Sequence, residues 1–422
     1  MPTYDAFVFQ EIRAIGRAWT DVNPGYHDNE QLFEKIGEMS WRRLIDKKEM
    51  WRIFEEIGVN GADYGYPKPV APPVGTTEPL HIEGEHFRLP DGSLFGWHGF
   101  SFFLGYRRFL AGEDLRPDLT VLRAHRVNLL RVFGPLPWAE TPDYRAENID
   151  LSRLREFFQF LASEGFYCEW VPICYAFNIA AQRSIVQTSY DAANGLPNVL
   201  IEVTNEPHVN DTFPTVIMEG VDRHGVLSAY GMYWPYYTSA DDPLPTLDYC
   251  TIHTTRDAAW HRKARHAQEL QHTIGKPCIS DEPAKSIEDD FNYPGGKRIP
   301  HEFVWHHAIC SLWTNGSTLH TEEGKWGRVP IEGMKQYEVL RLVGEDVWGK
   351  IGPTWQTGAY KGSHSSGSPV DHIPDIWTYS SLHDDPDRAI SVRCAVSSPQ
   401  PINGWRVVSR WGAGGSLVEL ER

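Results

Sequence analysis

Ile201-Glu-Val-Thr-Asn-Glu-Pro207 is the stretch on which the reading of this chain turns. With Val199 and Leu200 before it, it makes a short apolar run that stops at Asn205, Glu206 and Pro207. A run of that length closed by a proline predicts a buried strand over Val199–Asn205. Proline also biases the residue before it toward extended backbone, so Glu206 is expected to be extended and held at the carboxyl end of its strand. Lys276-Pro-Cys-Ile-Ser-Asp-Glu-Pro283 repeats the device: a short apolar strand, then Glu282 closed by a proline.

Working outward, short apolar runs alternate with helical patterns on both sides. Candidate strands are Phe95–Phe100, Val127–Phe133, Tyr167–Ile173, Val199–Asn205, Gly225–Tyr230, Tyr249–His253, Cys278–Asp281 and Cys310–Leu319. Candidate helices between them include Leu115–His125, Leu151–Glu164 and Asp257–Ile274. Strands that alternate with helices imply a parallel sheet, and eight such units imply closure into a (β/α)8, or TIM, barrel of the α/β class. Active groups of such a barrel sit at the carboxyl ends of its strands, where Glu206 and Glu282 fall.

The barrel is assigned to 80–349. Residues 1–66 read as an N-terminal helical extension, because apolar residues from Leu32 to Ile57 recur at near-helical spacing. Residues 67–79 form a Pro-rich linker that opens with Pro67, Pro69, Pro72 and Pro73. Leu80–Leu89 reads as strand, glycine turn and strand, a small hairpin lid. After 350 the helical patterns give way to Gly, Ser, Pro and β-like runs such as Ala389–Val396 and Trp405–Trp411, so 350–422 is expected to be a small β domain.

Composition narrows the function classes. A formal net charge of −16 repels phosphate backbones and anionic lipid, so neither nucleic acid nor a membrane surface is an expected partner. No stretch of about 18 apolar residues is present to span a bilayer. The first residues carry Asp5 and Glu11 and lack a basic-then-apolar leader. That start fits a cytoplasmic protein, or one that reaches the outside or a virus particle by another route. The six cysteines have no CxxC spacing and read as buried thiols, neither a disulfide framework nor a zinc site. Two glycosylation sequons begin at Asn210 and Asn315. His306 and His307 are neighbours that would diverge by about 100° on a helix, so they do not suggest one shared metal ion.

Two carboxylates facing each other across a barrel mouth meet the requirement for cleaving a glycosidic bond: one protonates the leaving oxygen, the other attacks the anomeric carbon. On these motifs, over roughly 80–345, the sequence resembles clan A of the glycoside hydrolases, barrel enzymes that include cellulases, mannanases and β-galactosidases. The fourth strand of that clan ends in Asn-Glu-Pro, as Asn205–Pro207 does, and Glu202 four positions before Glu206 also fits its pattern. The resemblance implies a retaining O-glycosyl hydrolase that takes a β-linked carbohydrate and needs no metal or organic cofactor. Glu206 would be the acid/base, Glu282 the nucleophile and Asn205 a ligand to the sugar hydroxyl beside the reacting carbon. Val127-Asn-Leu-Leu-Arg-Val132 is similar to the clan's second strand, whose arginine supports the nucleophile, and this gives Arg131 that role. Tyr249-Cys-Thr-Ile-His253 is similar to the sixth strand, with His253 near the reacting sugar.

Alternatives remain beside this reading. An arginine in an apolar strand needs a carboxylate, and Glu202 offers Arg131 a purely structural partner. His253 reads equally as a satisfied core histidine. Asp281 competes with Glu282 as nucleophile; alternation along an extended strand turns it to the opposite side and favours Glu282. Trp97, His98, Trp138, Tyr175, Trp234 and Trp313 are candidates to line the cleft, with His320 beyond the last strand. A different class of function is a non-catalytic carbohydrate-binding or particle-surface protein built on the same barrel.

Overall fold

A computed structural model describes residues 77–136, 149–207, 209–233, 247–253, 270–281, 314–320 and 337–349, a few positions near 307–311 and at 331, and strand segments between 379 and 421. The expected N-terminal helical extension, most of the linker, Glu282, Trp138, Trp234 and Trp313 lie outside the described residues.

Eight parallel strands close into a barrel. They are β3 (Trp97–Ser101), β4 (Leu129–Phe133), β5 (Tyr167–Val171), β6 (Val199–Asn205), β7 (Ser228–Tyr233), β8 (Cys250–His253), β9 (Cys278–Ser280) and β10 (Gly316–Leu319). Each pairs with its sequence neighbour, and β10 returns to β3 with Gly316 opposite Trp97. The expected (β/α)8 architecture is therefore the fold of the chain. The helices obey the spacing of their apolar residues. α1 (Gly105–Leu110) is short; α2 (Arg116–Ala124) carries Pro117 in its first turn and buries Leu119, Val121 and Leu122. α3 (Leu154–Ser163) buries Leu154, Phe157, Phe158 and Leu161. In α4 (Ile179–Ala193), Asn178 caps the first turn by accepting from the amides of Ala180 and Ala181. α5 (Pro214–Ile217) is a single turn, and α6 (Tyr337–Leu342) runs on into a π-helical turn over Val343–Trp348. None of the described helices is long and apolar enough to cross a membrane.

Two apolar layers sandwich the sheet. Outward-facing residues such as Leu130, Val132, Ile201 and Val203 pack under the helices. Inward-facing Trp97, Leu129, Tyr167, Leu200, Ala229, Tyr249 and Ile279 fill the amino-terminal end of the barrel. The expected hairpin forms from β1 (His81–Glu83) and β2 (His86–Arg88), with Ile82 opposite Phe87. It is not a lid over the mouth: its Phe87 joins the layer at the opposite end, against Trp97 and Tyr249. An apolar ring inserted there seals the floor, which needs no opening.

Asn315 secures this floor. Its side-chain amide donates to Glu85 O and Gln271 Oε1, each at 2.8 Å, and its oxygen accepts from Phe87 N at 3.4 Å. The residue is fully buried, so its sequon offers nothing to a glycosylating enzyme. The five described cysteines are buried free thiols. Toward the end of the chain, β11 (Tyr379–Leu382), β12 (Asp385–Val392), β13 (Arg406–Trp411) and β14 (Leu417–Glu421) form an antiparallel sheet in the order β11-β12-β14-β13.

Candidate active site

Above the apolar floor, the next layer of the barrel interior is charged. Arg131 from β4, Glu169 from β5, Glu202 from β6 and Asp281, just past β9, are each fully buried. Arg131 and Glu169 are register partners, so their side chains share the inner face. Glycine makes the room. A Cβ on Gly231 of β7 would sit 1.7 Å from Glu202 Oε1, and one on Gly99 of β3 would sit 2.3 Å from Thr318 Oγ1.

The guanidinium of Arg131 organises this layer. Its Nε and Nη2 donate to the two carboxylate oxygens of Glu202 at 2.7 and 2.8 Å, a bidentate pair. Nη2 also donates to Asn205 Oδ1 at 2.8 Å and lies 3.3 Å from His253 Nε2. Nε stands 3.8 Å from Glu169 and 3.7 Å from Asp281. Tyr249 donates to Glu169 at 2.9 Å, and Thr318 to Asp281 at 3.1 Å. The structural pairing with Glu202 is thus the arginine's principal bond.

Two sequence expectations change here. Asp281, which strand alternation turned away from the site, faces the barrel interior beside Arg131. The reason is that Ile279 belongs to the floor layer, and Asp281 two residues on shares its side. Glu206 is not extended: its φ is 45°, in the left-handed region that side-chain-bearing residues rarely enter. Its carbonyl accepts from the amides of Val209 and Asn210 at 2.9 and 3.0 Å, so a turn begins on this residue and overrides the preference that Pro207 imposes. Such a conformation costs about 1–3 kcal/mol and persists only where the surroundings over-determine it.

Just before this turn the pairing of β6 with β7 slips between Glu202 and Asn205. Without the slip, alternation would send the side chain of Asn205 outward; with it, Asn205 reaches Arg131. Glu206 then stands at the carboxyl end of β6 with its side chain 19% exposed, and Oε1 lies 3.0 Å from His253 Nδ1. A guanidinium only donates, so Nε2 of His253 accepts from it and Nδ1 carries the hydrogen directed at Glu206. Among the described residues Glu206 is therefore the carboxylate of the group open to solvent, and the buried network holds it from below.

Other anticipated residues separate into two groups. Tyr175 packs beside Phe177 above the barrel, at 5.4 Å between ring centroids, and His320 sits past β10, its Nδ1 3.3 Å from Ser101 Oγ and its ring edge-on to Phe103. Trp97 and His98 do not reach the mouth. Trp97 is fully buried on the floor, because it starts β3 and points inward at the amino end; its Nε1 donates to Thr318. His98 faces outward and stacks on Trp348 at 5.0 Å, and burial holds its imidazole neutral, with a pKa pushed down to about 3. Glu169 escaped the sequence reading. The signal that exposed Arg131, one charged residue in an apolar strand, was equally present in Tyr167–Val171.

Three buried carboxyls against one arginine leave an excess of negative charge that burial does not tolerate, so the cluster retains protons. Burial first, then the charges of Asp281 and Glu202, drives Glu169 well above the usual carboxylate range. Burial raises Glu202 to about 7 against the opposing pull of Arg131. In the unfolded chain both would titrate at about 4.3. The stability conferred by these raised values is fully present below the unfolded value and is lost as pH rises through the folded ones. Urea midpoints should therefore fall between about pH 5 and about pH 8, and Glu169→Gln, which keeps the neutral shape, should flatten the fall. Midpoints that rise over this interval would contradict the proton-holding cluster. Glu202, His253 and Asp281 also offer ligand atoms within 4.8 Å of one another, a spacing that suits a cation. Arg131 reaches all three and already supplies the positive charge, so the set fits the guanidinium and not a metal ion.

Fold and layer together define the class: a closed parallel barrel with a charged interior and a carboxylate at the rim of its carboxyl-terminal mouth. No protein-family model matches the chain. No curated protein matches it either. Among solved structures, it is similar to a glycoside hydrolase family 5 protein from Bacteroides vulgatus ATCC 8482, with a TM-score of 0.60 and 12% identity over 82% of this chain and 94% of that one. It is likewise similar to a structure described as a glycoside hydrolase, with a TM-score of 0.55 and 12% identity over 75% of this chain and 83% of that one. At these identities the likeness establishes the barrel.

Proposed function

We propose that the chain is a retaining glycoside hydrolase that cleaves a β-linked glycan or glycoside, with Glu206 as acid/base and Glu282 as nucleophile. The observation that carries this reading is the rim position of Glu206, partly exposed, bonded to His253 and held in a left-handed turn. Its support from fold is the likeness to glycoside hydrolase barrels. In the first step Glu282 attacks the anomeric carbon while Glu206 protonates the leaving oxygen; in the second, Glu206 takes a proton from the water that releases the sugar. The two carboxyl groups need to approach to about 5–5.5 Å for this chemistry. Arg131 acts from beneath, through Asn205 and His253. Tyr175 and His320 would border the sugar.

The test is a screen of aryl β-glycosides and β-linked polysaccharides against the wild type, Glu206→Gln and Glu282→Gln. Each variant should lose turnover by about 10²–10⁴-fold or more. Azide should rescue Glu206→Ala with a β-glycosyl azide as product. Full activity in either variant ends the paired assignment. Saturable glycan binding with no turnover in the wild type would favour the non-catalytic carbohydrate-binding alternative.

A further inference from the structure

The turn that follows β6 contains a side chain that the proposed mechanism leaves unused. Asn210 donates from its Nδ2 to the carbonyl of Asn205 at 2.8 Å, and from its backbone amide to the carbonyl of Glu206 at 3.0 Å. It therefore grips the peptide on each side of the Glu206 Cα. The segment it closes is unusual in a second way: both Glu206 and Asp211 hold positive φ, at 45° and 51°, without being glycine. An aspartate enters this region more readily than most residues, but a glutamate does so rarely and needs external restraint. Thr212 N, bonded to Pro207 O at 3.0 Å, closes the outer end of the turn. Arg131 restrains the side chain of Asn205, but among the described residues the side-chain restraint on the Asn205 carbonyl is Asn210.

We propose that Asn210 is a positioning residue that holds Glu206 in its left-handed conformation and so keeps the carboxyl group on His253 and aimed at the leaving-group oxygen. This rests on the hydrolase reading for its catalytic consequence but not for its structural one. Asn205 is held in the barrel by its pairing with Gly231 and by its amide on Ile173 O, but without the Nδ2 donor its carbonyl loses its side-chain restraint, and Glu206 can relax toward the extended backbone that Pro207 favours. The carboxyl group then leaves His253 Nδ1. A side chain that merely closed a surface turn would have no such reach into the site. The same atom, Nδ2, is the one a glycan would occupy at the Asn210 sequon, so the bond to Asn205 and a glycan draw on one amide.

Two measurements test this on the full-length protein, using Asn210→Ala and Asn210→Asp; the second keeps the size and removes the donor. The first is kcat/KM on two aryl β-glycosides. For an unactivated phenyl leaving group, which needs its proton, both variants should lose on the order of 100-fold. For a dinitrophenyl leaving group, which departs without one, the loss should stay within about twofold. Equal losses on both substrates, or none on either, overturn the proposal. The second is the ¹⁵N chemical shift of His253 Nδ1 at fixed pH. In both variants it should move to the position it takes in Glu206→Ala, because the same contact is lost. An unmoved resonance overturns the proposal even in an active enzyme. A moved resonance in a protein that turns over no glycoside upholds the positioning role and overturns the hydrolase reading instead.

Discussion

Arg131→Met is expected to destabilise the protein by about 3–5 kcal/mol, measured as the loss in unfolding free energy in urea near neutral pH. The guanidinium is fully buried and is bidentate to Glu202. Removing it strands Glu202, Glu169 and Asp281 in the barrel interior with no other arginine or lysine beside them among the described residues. The sign of the companion experiment separates charge from packing. Adding Glu202→Met to Arg131→Met removes the chief stranded carboxylate and should recover a substantial part of the loss, because an ion pair replaced by apolar residues of similar volume is often tolerated where half a pair is not. A double variant as unstable as the single one would mean that shape, and not unpaired charge, sets the cost. Arg131→Lys should fall between them: an ammonium keeps the charge but cannot span both oxygens of Glu202 and Asn205 with one rigid fork.

The second large effect comes from the smallest substitution. Gly231→Ala adds one methyl group to β7, yet that carbon would lie 1.7 Å from Glu202 Oε1 and 3.0 Å from the carbonyl of Thr204. Neither neighbour can give way freely. Glu202 is pinned by two hydrogen bonds to Arg131, and Thr204 is backbone within the slipped pairing of β6. The methyl group therefore has to displace the carboxylate, and the expected penalty approaches that of breaking the buried pair, about 3 kcal/mol. Glu202→Gln, which keeps the side chain's size, should not relieve it, whereas Glu202→Ala introduced with Gly231→Ala should relieve the clash. A Gly231→Ala protein with wild-type stability would show that the layer has slack.

These two residues illustrate what the sequence makes legible. β6 is found at Val199–Asn205, the bounds expected from its apolar run and proline stop. Arg131 announced its need for a carboxylate because burying a lone charge is too costly to be accidental. Gly231 gave no such signal, since a glycine in a strand looks the same whether it bends the chain or clears space for a side chain on the neighbouring strand. β7 was expected at Gly225–Tyr230 and runs over Ser228–Tyr233, because Gly225, at φ 76°, belongs to the preceding turn. β10 was expected from Cys310 and begins at Gly316; Cys310 and Ser311 are helical, and the amide of Thr314 bonds Cys310 O as in a helical turn. α4 was missed altogether. Its buried face mixes Gln182 and Ser189 with Val186, Tyr190 and Ala193, and polar groups on the inner stripe blur the period that reveals a helix. The charged layer was half legible for a related reason: pairing partners come from different strands, and only the register slip in β6 brings Asn205 inside.

The knot around Asn315 fixes when this barrel can finish folding. Its bonds to Glu85 and Phe87 join positions 230 and 228 residues apart, and the same seam pairs β10 with β3. Closing so long a loop is paid in chain entropy before any contact repays it, which makes non-local closure slow. On the ribosome, β3 is made early and waits, one edge unpaired, until nearly the whole barrel has been synthesised. Through that interval the growing chain carries an open strand edge of the kind that invites wrong partners, and a product ending before residue 316 would carry it permanently.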